Sequence, residues 1–462
     1  MSLGNLAGRR LRGVLAIGLI GAWAWPALGQ SGAVNISAEK LLESAVADYD
    51  AAKYGDVAEA VKLVKQNDFS GAREALVAAK KKHPELAPAG VMMAQVLFTL
   101  SQVPAARAEL EKVVVETPAD PEPYLIFAEL ALAEGQITDA DLLLTRGLAL
   151  AEKLLVNERR QKHLQSVGHA GLAKVAEVRG NFADAEKHLV AWTELDPAKA
   201  DAQASLGRVL FRLGKYKESA KALSAAAKAD KNQPAPQVAM ALLYEAAGEH
   251  DKAAKLMDDV LKLDGKNPRV LATVAQWELQ TSQLDKAKTH ADAAIKADPK
   301  LLAAKLVRAL VARFQNDPAT ARKQLDDAVR QAPFDFQATN LLAQVLIDSD
   351  EESDQQLALK HAQSNMSAYR NSAEAAATLG WVCERLGRTA DADRFLQAAL
   401  SSGQLTSESA FFVATMLHRN GRVDDARKLL EQSLGKPFLY SAEAQELLAK
   451  LPEPDSGSKP EK

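Results

Sequence analysis

From Ala200 onward the chain reads ADAQASLGRVLFRLGKYKESAKALSAAAKADKNQ, and its apolar positions recur at helical rather than strand spacing. Leu206, Gly207 and Leu210 share one face, Gly214 breaks the helix, and Ser219, Leu223 and Ala226 make the apolar face of a second helix. The segment predicts a helix-turn-helix of 34 residues.

The same phase recurs along the chain. Units start at 53, 87 and 121, then after eleven extra residues at 166, 200, 234, 268, 302 and 336, and after three more at 373 and 407. The eighth position of each is Ala60, Ala94, Ala128, Ala173, Gly207, Ala241, Ala275, Ala309, Ala343, Gly380 or Ala414. The twentieth is Ala72, Ala106, Ala140, Ala185, Ser219, Ala253, Ala287, Ala321, Ala358, Ala392 or Ala426. Two columns of small residues at fixed phase mark where paired helices, with axes about 8–10 Å apart, need short side chains. Gly135, Gly180, Gly214, Gly248, Gly387 and Gly421, with Asn67 and Asn316, fall at the turn, where a left-handed residue ends the first helix. Pro84, Pro118, Pro197, Pro299 and Pro333 stand near the ends of second helices.

The unit length, the Leu-Gly or Leu-Ala pair, the later Ala and the terminal Pro resemble the tetratricopeptide repeat family over residues 53–440, without the early Trp of that pattern. The resemblance implies an all-α, right-handed superhelical solenoid of about eleven antiparallel helix pairs, whose first helices line a concave groove. Residues 441–451 predict a C-terminal capping helix, with Ala444, Leu447, Leu448 and Leu451 on one face; Leu448 stands where every full unit has Ala or Gly. Residues 30–52 predict a linker and an N-terminal cap built on Ala38, Leu42 and Ala45. The insertion ALAEKLLVNERRQKHLQ, free of Gly and Pro, predicts a lengthened second helix in the third unit. The tail 452–462 lacks apolar residues and predicts disorder.

Composition narrows the function. Aromatics are only 5%, so the core must be made of Ala, Leu and Val. Residues 1–29 read as a secretory signal peptide: Arg9, Arg10 and Arg12, an apolar run from Val14 to Trp25, and Ala27-Leu28-Gly29 before Gln30. The expected location is therefore periplasmic or extracellular, with no further stretch apolar enough to span a membrane. The remaining chain carries 54 basic against 60 acidic residues and no basic tract, which gives little support for nucleic-acid binding.

Chemistry is hard to place on this chain. The repeats and caps leave no room for a catalytic domain, the eight histidines are scattered, and no HExxH, phosphate loop or nucleophile elbow occurs. Cys383 occupies a core position and can form no internal disulfide. The acidic run Asp348, Asp350, Glu351, Glu352 and Asp354 lacks the glycine and closing glutamate of a calcium loop, and reads as a loop whose Ser353 or Asp354 caps the next helix. No enzyme activity, metal or cofactor is expected.

In the resembled family, positions 2, 5, 9, 12 and 13 of each first helix line the groove. Three groups stand out there. Arg208, Phe211 and Arg212 place two cations beside a ring. Gln276, Asn340 and Gln344 supply amides able to pair with an extended peptide. Trp381, Arg385, Phe411, His418 and Arg419 mix aromatic and basic anchors. The family's clamp for chaperone C-termini needs Lys at position 5 and Asn at position 9, whereas the first three units carry Val57, Val91 and Leu125, then Val61, Gln95 and Glu129. The expected function is an exported scaffold that binds segments of other proteins, in envelope assembly, secretion or exopolysaccharide export. Direct binding of an acidic polysaccharide is the alternative, and an enzyme a remote one.

Overall fold

The computed structural model describes residues 52–100, 102–155, 157–370, 372–401, 405–435 and 438–452. The expected signal peptide, the expected N-terminal linker and cap apart from Ala52, and the tail after Pro452 lie outside the described residues. Among those described there are 23 helices and no strand. They fall into two compact units, dividing between Ala247 and Gly248.

The first unit holds α1 (Gly55–Lys65), α2 (Phe69–Lys82), α3 (Ala89–Thr99), α4 (Val103–Glu116), α5 (Glu122–Ala133), α6 (Ile137–Ala151), α7 (Glu158–Val178), α8 (Phe182–Leu195), α9 (Ala200–Arg212), α10 (Tyr216–Ala229) and α11 (Pro236–Ala246). The second holds α12 (His250–Asp264), α13 (Pro268–Gln280), α14 (Leu284–Ala297), α15 (Leu302–Phe314), α16 (Pro318–Gln331), α17 (Phe336–Ile347), α18 (Glu352–Ala368), α19 (Ala373–Arg385), α20 (Thr389–Ser401), α21 (Ser407–Arg419), α22 (Val423–Ser433) and α23 (Ser441–Lys450). Odd-numbered first helices and even-numbered second helices alternate, and within each unit short turns fold the paired helices antiparallel.

The small columns are the pairing surface. Every alanine of the eighth and twentieth positions is buried. At Gly207 an added Cβ would stand 2.7 Å from Leu223 Cγ, and the Gly207 carbonyl accepts a hydrogen bond from Ser219 Oγ at 2.7 Å, so the one serine of the second column is satisfied by the close approach itself. The turn follows from the left-handed residue. Gly214, with φ 76°, lets its own N–H reach Phe211 O and the Lys215 N–H reach Leu210 O, both at 2.9 Å. Asn67 and Asn316 adopt the same conformation, and so does Ser282, with φ 62°, where the sequence offered neither Gly nor Asn. Ser282→Gly is expected to raise stability by about 0.5–1 kcal/mol, the left-handed penalty less the larger entropy loss of glycine, as a higher urea midpoint.

Two local expectations need correction. The insertion does not extend the second helix of the third unit: α6 stops at Ala151, and the added residues lengthen the following first helix, α7, to 21 residues. Asn157 fixes that start, its side chain accepting from the Arg160 N–H at 3.0 Å and donating to the Glu85 carbonyl at 3.2 Å. In the acidic run, neither Ser353 nor Asp354 caps α18, whose N-cap is Glu351. Asp354 is buried instead, paired with Arg322 and accepting from Ser349 Oγ at 2.8 Å, and the Arg322 bond holds its carboxyl below the usual range. In helix α23 Ala444 is buried and Leu447 and Leu448 are half-buried, and Leu451 just after it is buried. Arg427 of α22 anchors its end by donating to the Leu451 carbonyl at 3.0 Å and the Pro452 carbonyl at 2.7 Å.

Candidate partner-binding groove

Not all of the expected stripe is open. Position 5 is buried in ten of the eleven pairs, from Val57 to Phe411. Positions 9 and 13 carry most of the exposed or half-buried side chains, among them Arg208, Arg212, Gln276, Arg385 and Arg419.

In the first compact unit, Arg208 is half-buried and donates to Ser205 Oγ at 2.9 Å, and Arg212 is exposed. Glu177 of α7 shares their surroundings; burial pushes its carboxyl up, while Arg208, Lys174 and Arg212 pull it the other way. Phe211 does not stand beside the two cations as an open ring. It is buried edge-on against Tyr216 and Tyr244, with centroids at 5.1 and 4.8 Å, since position 12 here packs against the next pair.

In the second compact unit, Gln276 is half-buried on α13. Asn340 and Gln344 are buried on α17, and their amides bridge neighbouring first helices. Asn340 Nδ2 donates to Glu374 Oε1 at 3.1 Å, while Gln344 accepts from Arg313 Nη1 at 2.9 Å and donates to Thr378 Oγ1 at 3.3 Å. Trp381 and Phe411 are buried too: Trp381 lies flat on Phe412 at 4.7 Å, with Phe411 at 5.6 Å. Arg385 is exposed above Trp381, 5.7 Å from its ring and 3.5 Å from Asp348. Arg419 pairs with Glu384 and Asp393, and His418 is exposed.

These rings are covered by two residues that the helical periodicity did not single out. Tyr440, only 6% exposed, stacks on Phe411 at 5.5 Å and lies 5.2 Å from Phe412 and 5.9 Å from Trp381. Its hydroxyl accepts from Arg313 Nη2 at 3.0 Å, across 127 residues of chain. Phe438, two residues earlier, is 5% exposed and 6.4 Å from Phe411. The signal was available: Phe438-Leu439-Tyr440 sets three large apolar residues before the last helix of a chain poor in aromatics.

The floor also holds a displaced titration. Burial, and then the neighbouring Glu408, push the Glu374 carboxyl up to about 7, against the opposing Asn340 hydrogen bond. An acid whose folded pKa is raised contributes stability that is full below its unfolded value near 4.5 and is lost as pH rises through about 7. Glu374→Gln keeps an acceptor for Asn340 Nδ2 and adds a donor for Asn340 Oδ1, which is buried without a hydrogen-bond partner among the described residues. It is expected to stabilise the protein by about 1–2 kcal/mol at pH 8 and to change little at pH 5, measured as paired melting temperatures.

Sequence profiles of the family described as tetratricopeptide repeat match residues 57–121, 171–234, 306–352 and 377–444, and a second such profile matches 210–277. The chain belongs to the tetratricopeptide repeat family. Tetratricopeptide repeats act as protein-interaction scaffolds, and this chain is built as one. No curated protein matches it. Among solved structures it is similar to a tetratricopeptide repeat protein from Parabacteroides merdae ATCC 43184, at 14% identity over 62% of this chain and 98% of that one, with a TM-score of 0.36. It is also similar to yeast Tom70, at 15% identity over 87% and 96% with a TM-score of 0.38, and to the APC/C hetero-tetramer Cut9-Hcn1, at 17% over 87% and 83% with a TM-score of 0.41. Among the described tetratricopeptide repeat helices, none is long and apolar enough to cross a membrane.

Proposed function

We propose that this tetratricopeptide repeat protein is an exported scaffold that holds segments of other proteins along its first helices and works in the periplasm or outside the cell. The observation that carries the reading is the seat of Phe438–Tyr440: a short stretch of polypeptide lies against three first helices, α15, α19 and α21, through Tyr440, and Gln344 of α17 holds the arginine that it meets. A surface that accepts its own chain in this way has the ring faces and the fixed cation to accept another. The composition of residues 1–29 supports export, and roles in envelope assembly, secretion or exopolysaccharide export fit a scaffold placed there. Acidic polysaccharide has less support as the ligand, because Arg385 and Arg419 are paired with carboxylates.

Affinity capture from the source cells, using wild type and an Arg208→Ala, Arg212→Ala, Gln276→Ala variant of equal melting temperature, tests the reading. Loss of a reproducible set of partners from the variant is expected, and an unchanged set contradicts the groove. Mass measurement of the exported protein is expected to place its first residue at Gln30; an intact Met1 in that fraction contradicts cleavage.

A further inference from the structure

We infer that the first helices between residues 302 and 419 recognise a short turn-forming segment bearing two aromatic side chains two residues apart, the second a tyrosine, and that Phe438–Tyr440 is the chain's own occupant, which such a partner displaces. The inference rests on the scaffold reading above and names the ligand of one stretch of the groove.

The register follows from geometry. Residues 438–441 form a tight turn, the Ser441 N–H donating to the Phe438 carbonyl at 3.0 Å, and this turn brings Phe438 and Tyr440 both against the ring of Phe411. Tyrosine is specified at the second place because its hydroxyl accepts from Arg313, whose guanidinium also lies over the ring at 5.5 Å from the centroid. Arg313 is held for this by its second bond, to Gln344, which is itself tied to Thr378, so the cation is fixed before any ligand arrives.

The occupant is exchangeable because its fit is incomplete. Trp381 is only 7% exposed, yet its indole Nε1 is buried with no acceptor among the described residues. A partner whose backbone places a carbonyl there gains a hydrogen bond that the chain's own segment does not make. The tether works against exchange, since a covalently attached segment competes at high effective concentration, so wild type should show a weakened apparent affinity for any segment offered in trans.

The test uses the full chain and a fluorescein-labelled peptide of residues 438–451, followed by fluorescence anisotropy. A Phe438→Ser, Tyr440→Ser variant is expected to bind this peptide at least about ten-fold more tightly than wild type. Adding Arg313→Ala should remove that gain, and a peptide with both aromatics changed to serine should bind neither protein. A folded double variant that fails to bind, or that binds the serine peptide equally well, overturns the inference and makes the segment a fixed cap. Should the double variant not fold, Tyr440→Phe is read instead: a two- to five-fold gain in peptide affinity is expected, and no gain overturns the inference. Partner capture through Arg208, Arg212 and Gln276 is read from a separate variant, so a failure here and a failure of the scaffold reading are distinguishable.

Discussion

Arg160→Ala is expected to destabilise the protein by about 3–5 kcal/mol, the range for breaking a buried ion pair by removing one partner. The guanidinium is 3% exposed and donates through Nη2 to Asp120 Oδ1 and Oδ2 at 2.8 and 3.0 Å and to Glu122 Oε2 at 2.7 Å, and through Nε to Glu122 Oε2 at 3.2 Å. Without it, Asp120 and the deeply buried Glu122 share a site with Gln95, which donates to Glu122 Oε1 at 2.9 Å, but with no adjacent cation of comparable reach. Lys80 cannot substitute, since its ammonium is occupied by the Pro84 and Leu86 carbonyls at 2.8 and 2.5 Å. Because Arg160 comes from the inserted residues and its partners from the loop and helix of an earlier pair, the loss should appear as early unfolding of residues 85–164 in hydrogen exchange. Changing all three groups, as Asp120→Asn, Glu122→Gln and Arg160→Met, should recover more than half of it, because no charge is then left buried alone. A midpoint for Arg160→Ala within 0.5 kcal/mol of wild type, roughly the scatter of surface changes, contradicts this account.

Gly207→Leu is the second large effect, expected at about 3 kcal/mol or somewhat more. Even a methyl at this position meets Leu223 Cγ at 2.7 Å and Cδ2 at 2.8 Å, and the Leu223 backbone N is 3.4 Å away. A small shift of the flexible Leu223 side chain can admit Ala, and the gain in helix propensity of about 1 kcal/mol offsets it, so Gly207→Ala should be close to neutral. Leucine cannot be admitted without moving α9 from α10, which also breaks the bond from Ser219 Oγ to the Gly207 carbonyl. The graded pair, neutral Ala and destabilising Leu, separates a close-approach column from a mere preference for small residues. Equal melting temperatures for Gly207→Leu and wild type would remove the physical basis of the repeat phase.

That phase was readable from the sequence because each pair of helices imposes the same local demand. Small residues at the crossing and a left-handed residue at the turn are short-range requirements, so Gly207, Ser219 and Gly214 carry them openly. Ser282 shows the limit, since a serine can adopt φ 62° at a cost when the surrounding turn requires it. What could not be read was set by contacts between distant residues. The insertion looked like helix continued, yet its fate was decided by Asn157 and Arg160 reaching back to Glu85, Asp120 and Glu122. Asn340, Gln344, Trp381 and Phe411 were singled out at groove positions, and the structure does gather them on neighbouring first helices, but under Phe438 and Tyr440 or between helices rather than open to solvent. Periodicity gives the face a residue occupies; it does not give what folds back over that face.

A photoreactive benzophenone side chain placed singly at Arg212, at Gln276 and at Lys221, the last an exposed residue on the second helix α10, tests the claim of a binding groove most directly in the source cells. Discrete partner adducts from Arg212 and Gln276, with none from Lys221, are predicted; adducts from Lys221 alone, or equally from all three, would contradict it.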